Sequence, residues 1–283
     1  MTVVVPTSLA GVIDALVASP QAMLLAGGTD AMVEINSGHR RVADVIAIGR
    51  VPELRSWRFD PDTATVTIGA AITYAQLCAA PFDTWMPALS QAARTVGSPQ
   101  IRNAATIGGN VSTASPAGDG LPVLAALDAV VHLLGPTGGR DIAFTDFMTG
   151  PKRSVRRADE IITAITVPVL SGWQGYAKVG VRNAMVISNA GACLAVDAPT
   201  RSVRLALGSV GPTIIRCTDA EQFIADHADF DALAVSVAHE AEFSELAAAS
   251  ARPIDDHRST AQYRRHAIAV LSGRLLRRAF PNV

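Results

Sequence analysis

The 283-residue sequence contains only three cysteines, Cys78, Cys193 and Cys217, and they are far apart. They form no CxxC pair, so the chain lacks the four clustered thiolates that an iron–sulfur cluster usually needs. The histidines do not show the spacing of metal ligands either, and we predict no metal site. We expect the cysteines to be reduced and partly buried, as in a cytoplasmic protein.

The sequence also lacks an excess of positive charge and any long hydrophobic run. Its net charge of −1 argues against a nucleic-acid-binding protein. No run reaches the roughly 18 apolar residues of a membrane span, although the mean hydropathy is +0.28. Pro6 ends the short apolar stretch at the N-terminus, which has no basic region, so we predict no signal peptide. High hydropathy with only 5% aromatic residues favours surface that is covered by partner subunits.

The hydrophobic pattern changes near Ser171-Gly172, where we place a domain boundary. The part before this boundary begins with a compact βαβ-like unit. Ser8 is predicted to cap one helix and Thr73 is predicted to cap a second helix. Strands are predicted over 22–26, 42–48, 65–69, 129–134 and 159–167, with helices over 31–35, 84–96 and 121–127. After the boundary come strands over 173–181, 190–197 and 203–208, then helices over 219–225, 231–240 and 260–279. This order predicts an antiparallel sheet with helices on one face.

Two glycine-rich turns are the strongest candidates for a binding site. Leu25-Ala26-Gly27-Gly28-Thr29-Asp30 follows a predicted strand, and Thr106-Ile107-Gly108-Gly109-Asn110 lies in a stretch over 97–119 without regular pattern. Such turns can direct several backbone N–H groups at a pyrophosphate, with no Cβ to block its approach. Taken alone, either turn is also typical of an ordinary connection, since neither a GxGxxG nor a GxxxxGK[ST] motif is present.

The longer strings around these turns resemble the FAD-binding medium subunit of the xanthine dehydrogenase/carbon monoxide dehydrogenase family of molybdenum hydroxylases. The resemblance covers essentially the whole chain, and the strings that carry it follow the family's order: 25–30, 100–110, 114–119, 178–182 and 255–265. The resemblance implies an α+β fold. A two-part FAD-binding domain of the vanillyl-alcohol-oxidase (PCMH) type would span 1–171, divided at about 56/57, and a small C-terminal α+β domain would span 172–283.

The resemblance also implies which residues bind FAD. Both turns would contact the pyrophosphate through Leu25, Ala26, Gly27, Gly28, Thr29, Asp30, Thr106, Ile107, Gly108, Gly109 and Asn110. Asp119 would accept hydrogen bonds from ribose or ribityl hydroxyls. Ile162 would give an apolar contact to the adenine, and Lys178 would approach the flavin, where its charge could stabilise the reduced ring. No catalytic residue is predicted, because the flavin does the chemistry.

By the same resemblance, the partners would be a small subunit with two [2Fe-2S] clusters and a large molybdopterin subunit, assembled as a dimer of heterotrimers. Electrons would pass from the clusters to FAD and then to NAD+, O2 or another acceptor. Two alternatives stay open: a free-standing FAD-dependent oxidase or oxygenase with the same fold, and a module that has lost FAD. The stretch after Arg182 lacks the aromatic residue that members often carry there, and this leaves open which flavin face is covered.

Overall fold

The computed structural model describes residues 2–39 and 41–282. Over these residues the strands form a three-stranded, a five-stranded and a four-stranded sheet, together with a two-stranded ribbon. None of the described helices is both long and apolar enough to cross a membrane.

The first sheet is a small parallel one, built from the predicted βαβ-like unit. It consists of β1 (Thr2–Val4), β2 (Met23–Leu25) and β3 (Asp44–Ala47), in the order β1-β3-β2, with helices α1 (Leu9–Ala18) and α2 (Ala31–Asn36). The Ser8 hydroxyl accepts a hydrogen bond from Gly11 N and caps α1, as predicted. Strand β1 was not predicted, because three exposed residues give no hydrophobic alternation.

The second sheet is antiparallel and has five strands in the order β4-β5-β10-β6-β7. Its strands are β4 (Trp57–Asp60), β5 (Thr65–Gly69), β6 (Val130–Gly135), β7 (Gly138–Ala143) and β10 (Ile161–Pro168). The helices packed around it are α3 (Tyr74–Leu77), α4 (Phe82–Trp85), α5 (Pro87–Thr95), α6 (Pro99–Ala104), α7 (Ile107–Thr113), α8 (Gly120–Ala126) and α9 (Phe144–Phe147). A 3-10 turn (Pro52–Arg55) precedes the sheet, and the ribbon is formed by β8 (Met148–Gly150) and β9 (Arg153–Ser154).

The C-terminal region contains the predicted antiparallel sheet, in the order β11-β12-β13-β14. The strands are β11 (Trp173–Val179), β12 (Ala190–Asp197), β13 (Ser202–Gly208) and β14 (Ile215–Arg216), and the helices are α10 (Thr218–His227), α11 (Val237–Ser250) and α12 (Ala261–Ala279). Helices α10 to α12 cover one face of this sheet, as predicted.

The other face of this sheet is buried against the first region. Side chains alternate along β12, so that Ala192 and Leu194 join the core under α10–α12, whereas Cys193 and Ala195 join the larger core of the first region. Helix α5 packs against β11, and α8 packs against β12 and β13. Burial on both faces explains why β12 is a continuous run of small apolar residues.

Three sequence-based predictions differ from the structure. The helix expected over 84–96 is two helices, because Pro87 can begin a helix but cannot continue one. The patternless stretch over 97–119 contains α6 and α7, which are capped by the Ser98 and Thr106 hydroxyls. The helix expected over 231–240 begins only at Val237, since Asp229 accepts hydrogen bonds from the backbone of the preceding turn and Ser236 supplies the cap.

Candidate cofactor site

The first glycine turn joins β2 to α2. Gly28 has φ +70°, in the left-handed region that glycine adopts without strain. The backbone N–H groups of residues 27–30 donate no hydrogen bond to any residue within 2–39 and 41–282. These four consecutive donors, in a half-buried turn, are available to an anionic ligand.

The second glycine turn begins α7. The Thr106 hydroxyl caps this helix by accepting a hydrogen bond from Gly109 N at 3.1 Å. Gly108 N donates to Ala70 O at 2.9 Å. A Cβ on Gly108 would lie 2.5 Å from the Ala70 Cβ, so glycine is required here because two backbone segments pack closely. Both glycine N–H groups of this turn are therefore already engaged within the protein.

The first turn is in contact with the residues that flank the second turn. A Cβ on Gly27 would overlap with the carbonyl oxygen of Ala104, at the end of α6. The Thr113 hydroxyl, at the end of α7, donates to Asp30 Oδ2 at 3.2 Å. The structure thus brings together the two segments that the sequence analysis selected separately.

A buried ionic group lies at the junction of the two domains. The Asp119 carboxylate is 8% exposed and pairs with Lys178 Nζ at 2.6 Å. It also accepts hydrogen bonds from the hydroxyls of Tyr176 and Thr95, both at 3.0 Å. Burial raises the pKa of Asp119 above its ordinary value, and the Lys178 charge and the two hydroxyls offset part of this rise.

All three donors of the Lys178 ammonium group have acceptors. Besides Asp119, the group donates to Thr95 O and to Val186 O, both at 3.1 Å. Any contact between Lys178 and a flavin ring would have to share a donor with one of these acceptors. The bond to Val186 also ties the connection between β11 and β12 to the ionic group.

Two buried tyrosines touch these groups, and the sequence analysis did not select them. Tyr74 OH donates to Asn110 Oδ1 at 2.6 Å, and Tyr176 OH donates to Asp119 Oδ1. Tyr176 could have been found, because it lies two residues before Lys178 and therefore on the same face of β11. Tyr74 is not close in sequence to any predicted site residue, and only the fold of the chain places it beside Asn110.

The remaining predicted residues lie at different depths. Leu25, Ala26 and Thr29 are half-buried in the first turn, whereas Ile107 is fully buried below the second. The Asn110 side chain lies beside the glycines that flank Asp119, because a Cβ on Gly118 would be 2.8 Å from Asn110 Nδ2 and one on Gly120 would be 3.5 Å from Asn110 Oδ1. Ile162 is only 4% exposed and packs inside the core on β10, so its contact with a cofactor stays a prediction.

Comparisons with known proteins agree over the whole chain. Residues 1–170 match the family model of the FAD binding domain in molybdopterin dehydrogenase, and residues 176–279 match that of the CO dehydrogenase flavoprotein C-terminal domain. The xanthine dehydrogenase FAD-binding subunit of Escherichia coli O157:H7 is 31% identical over 279 residues, 96% of this chain and 93% of that protein. The nicotinate dehydrogenase FAD-subunit of Eubacterium barkeri is 40% identical over 179 residues, 61% and 60% of the two chains.

A solved structure agrees with this assignment. Carbon monoxide dehydrogenase from Hydrogenophaga pseudoflava contains a chain that matches with a TM-score of 0.86 and 27% identity, covering 99% of this chain and 96% of that one. The α+β fold expected from the sequence, an FAD-binding domain followed by a C-terminal domain with an antiparallel sheet, is confirmed.

Proposed function

Because the chain belongs to the family of FAD-binding subunits of molybdopterin dehydrogenases, we propose that it is the electron-transfer subunit of a heterotrimeric molybdenum hydroxylase. It takes electrons from the [2Fe-2S] clusters of a small subunit and passes them to NAD+, O2 or another acceptor. A large molybdopterin subunit oxidises the organic substrate, and two heterotrimers pair in the complete enzyme.

The observation that supports this proposal most directly is the set of free N–H groups in residues 27–30. A pyrophosphate offers several acceptor oxygens and a negative charge, which match four backbone donors that have no acceptor among the described residues. The absence of a Cβ on Gly27 lets α6 pack closely against this turn, since a Cβ there would overlap with Ala104 O, so the anion would be bound on a packed surface.

The second turn contributes side chains more than backbone donors. Asn110 keeps its amide nitrogen available, since its Oδ1 is the atom bonded to Tyr74. Among the described residues Asp119 Oδ1 accepts a hydrogen bond from Tyr176 alone, and so it retains a lone pair for a ribose or ribityl hydroxyl. FAD, when bound, supplies the two-electron redox chemistry, and these residues orient it.

The Asp119–Lys178 pair is buried. This position fits a role in orienting FAD and not a role as a general acid or base. Both side chains are less than a tenth exposed, and every donor of the ammonium group is engaged. Neither group is therefore free to exchange protons with a substrate. The pair instead joins the FAD-binding domain to β11 of the C-terminal domain.

The experiment that tests the proposal is affinity purification of the tagged full chain from its source cells. We expect it to be yellow, and to copurify in equal amounts with an iron–sulfur protein and a molybdopterin protein, identified by mass spectrometry and metal analysis. Chain produced alone should bind FAD and be reduced by dithionite, without oxidising an organic substrate.

Two outcomes would contradict the proposal. A chain that is isolated without partners and turns over its own substrate would be a free-standing oxidase or oxygenase. A folded chain that binds no FAD, alone or in the complex, would be a module that has lost the cofactor.

A further inference from the structure

The chain contains three tyrosines, and two of them are buried at the candidate cofactor site. Tyr74, at the start of α3, is 1% exposed, and Tyr176, on β11, is 7% exposed. Tyr263, on α12, is 46% exposed. A buried tyrosine hydroxyl usually has a hydrogen-bond partner. Here both partners are side chains that we expect to face the cofactor.

Tyr74 determines the orientation of the Asn110 amide. Its hydroxyl lies 2.6 Å from Asn110 Oδ1, so the amide oxygen faces the tyrosine and the amide nitrogen faces Gly118. A Cβ on Gly120 would lie 2.5 Å from the Tyr74 hydroxyl. The glycines on either side of Asp119 therefore leave room for the Tyr74–Asn110 pair.

Tyr176 determines the orientation of the Asp119 carboxylate. Lys178 and Thr95 both bind Oδ2, whereas Oδ1 is bound by Tyr176 alone among the residues that the structure describes. Burial raises the pKa of both Tyr74 and Tyr176, so each hydroxyl keeps its proton and remains a donor. A donor on each oxygen prevents the carboxylate from rotating.

We propose that Tyr74 and Tyr176 are positioning residues of the FAD site, which hold the Asn110 amide and the Asp119 carboxylate in the orientation that binds the ribityl side of the cofactor. This inference rests on the proposed function. Neither tyrosine needs to touch FAD, because each acts through the side chain that it orients. Both rings lie in the larger core, so replacement by phenylalanine keeps the packing and removes one donor.

The test uses the full chain freed of FAD and the variants Tyr74→Phe, Tyr176→Phe and Tyr263→Phe. FAD binding is titrated by flavin fluorescence, and the visible circular dichroism of the bound flavin is recorded. We expect Tyr74→Phe and Tyr176→Phe each to weaken FAD binding about tenfold, as for one orienting hydrogen bond, and to change the dichroism. Tyr263→Phe is the matched control on an exposed ring and should behave as wild type.

A double-mutant cycle separates positioning from a general loss of structure. If Tyr74 acts through Asn110, Tyr74→Phe should have no further effect on FAD binding in an Asn110→Ala background. An equal effect in both backgrounds, or wild-type affinity and dichroism for both tyrosine variants, would overturn the inference. A wild-type chain that binds no FAD would instead overturn the proposed function.

Discussion

Gly27-Gly28 and Gly108-Gly109 are the same dipeptide, and each lies where a helix begins. In the first turn the backbone N–H groups of residues 27–30 find no acceptor among the described residues. In the second, Gly108 N binds Ala70 O and Gly109 N binds the Thr106 hydroxyl. The first pair leaves donors free for a ligand, and the second uses its donors to fix α7.

This difference divides the candidate cofactor site into two surfaces, one of free backbone donors and one of side chains on a fixed helix. The first turn is suited to the charge of a pyrophosphate, because backbone donors cannot rotate away from it. The second turn presents Asn110 on a helix whose position depends on close packing against Ala70. Substitutions in the two turns should therefore separate loss of the fold from loss of FAD.

The largest effect is expected for Gly27→Ala, because the new Cβ would overlap with a backbone carbonyl, that of Ala104. The two turns would have to move apart, which we expect to cost about 3 kcal/mol of unfolding free energy and to abolish FAD binding. Urea denaturation and flavin absorbance measure the two effects.

Gly49→Ala is the matched control for this variant. Gly49 also follows a strand of the first sheet, and nothing lies within 4 Å of its Cβ position. It should keep both the stability and the FAD content of the wild type. A Gly27→Ala variant as stable as Gly49→Ala would show that the turns are not in contact.

The second largest effect is expected within the second turn, where alanine at Gly108 should destabilise the chain more than alanine at Gly109. Gly108→Ala places a Cβ 2.5 Å from Ala70 Cβ and 2.6 Å from Ala70 O, and should destabilise the chain by about 2 kcal/mol. Gly109→Ala meets only the Thr106 hydroxyl, at 2.9 Å, and should leave stability within about 1 kcal/mol of wild type, because alanine favours a helix.

FAD binding distinguishes these two variants further. Gly109 is half-buried, and the group that its Cβ position meets is the Thr106 hydroxyl. Gly109→Val should therefore lose FAD while the protein stays folded, since the branched side chain would project where the cofactor is expected. Differential scanning calorimetry with and without FAD reports both properties. Full flavin occupancy in Gly109→Val would place the cofactor away from the second turn.

Both glycine turns were located from the sequence. The sequence did not show that the N–H groups of Gly108 and Gly109, in the second turn, are already bound within the protein. The strand, the double glycine and Asp30 are contiguous, so local pattern was sufficient to locate the first turn, whereas its assignment to a pyrophosphate came from the family resemblance. The acceptor of Gly108 N is Ala70, which is remote in sequence, and α6 and α7 are too short to show a helical period. Similarly, Lys178 was selected by motif, whereas its engagement by Thr95 and Val186 depends on how the two domains pack.

The smallest effect is expected at the polar link between the turns. Thr113→Val keeps the size of the side chain and removes the hydroxyl that donates to Asp30 Oδ2 at 3.2 Å. The bond is exposed to water, so its loss should weaken FAD binding by about 0.5 kcal/mol, roughly twofold. Thr113→Ser retains the hydroxyl and should bind as the wild type does. Equal affinities of the two variants would mean that close packing at Gly27, and not this hydrogen bond, holds the two turns in register.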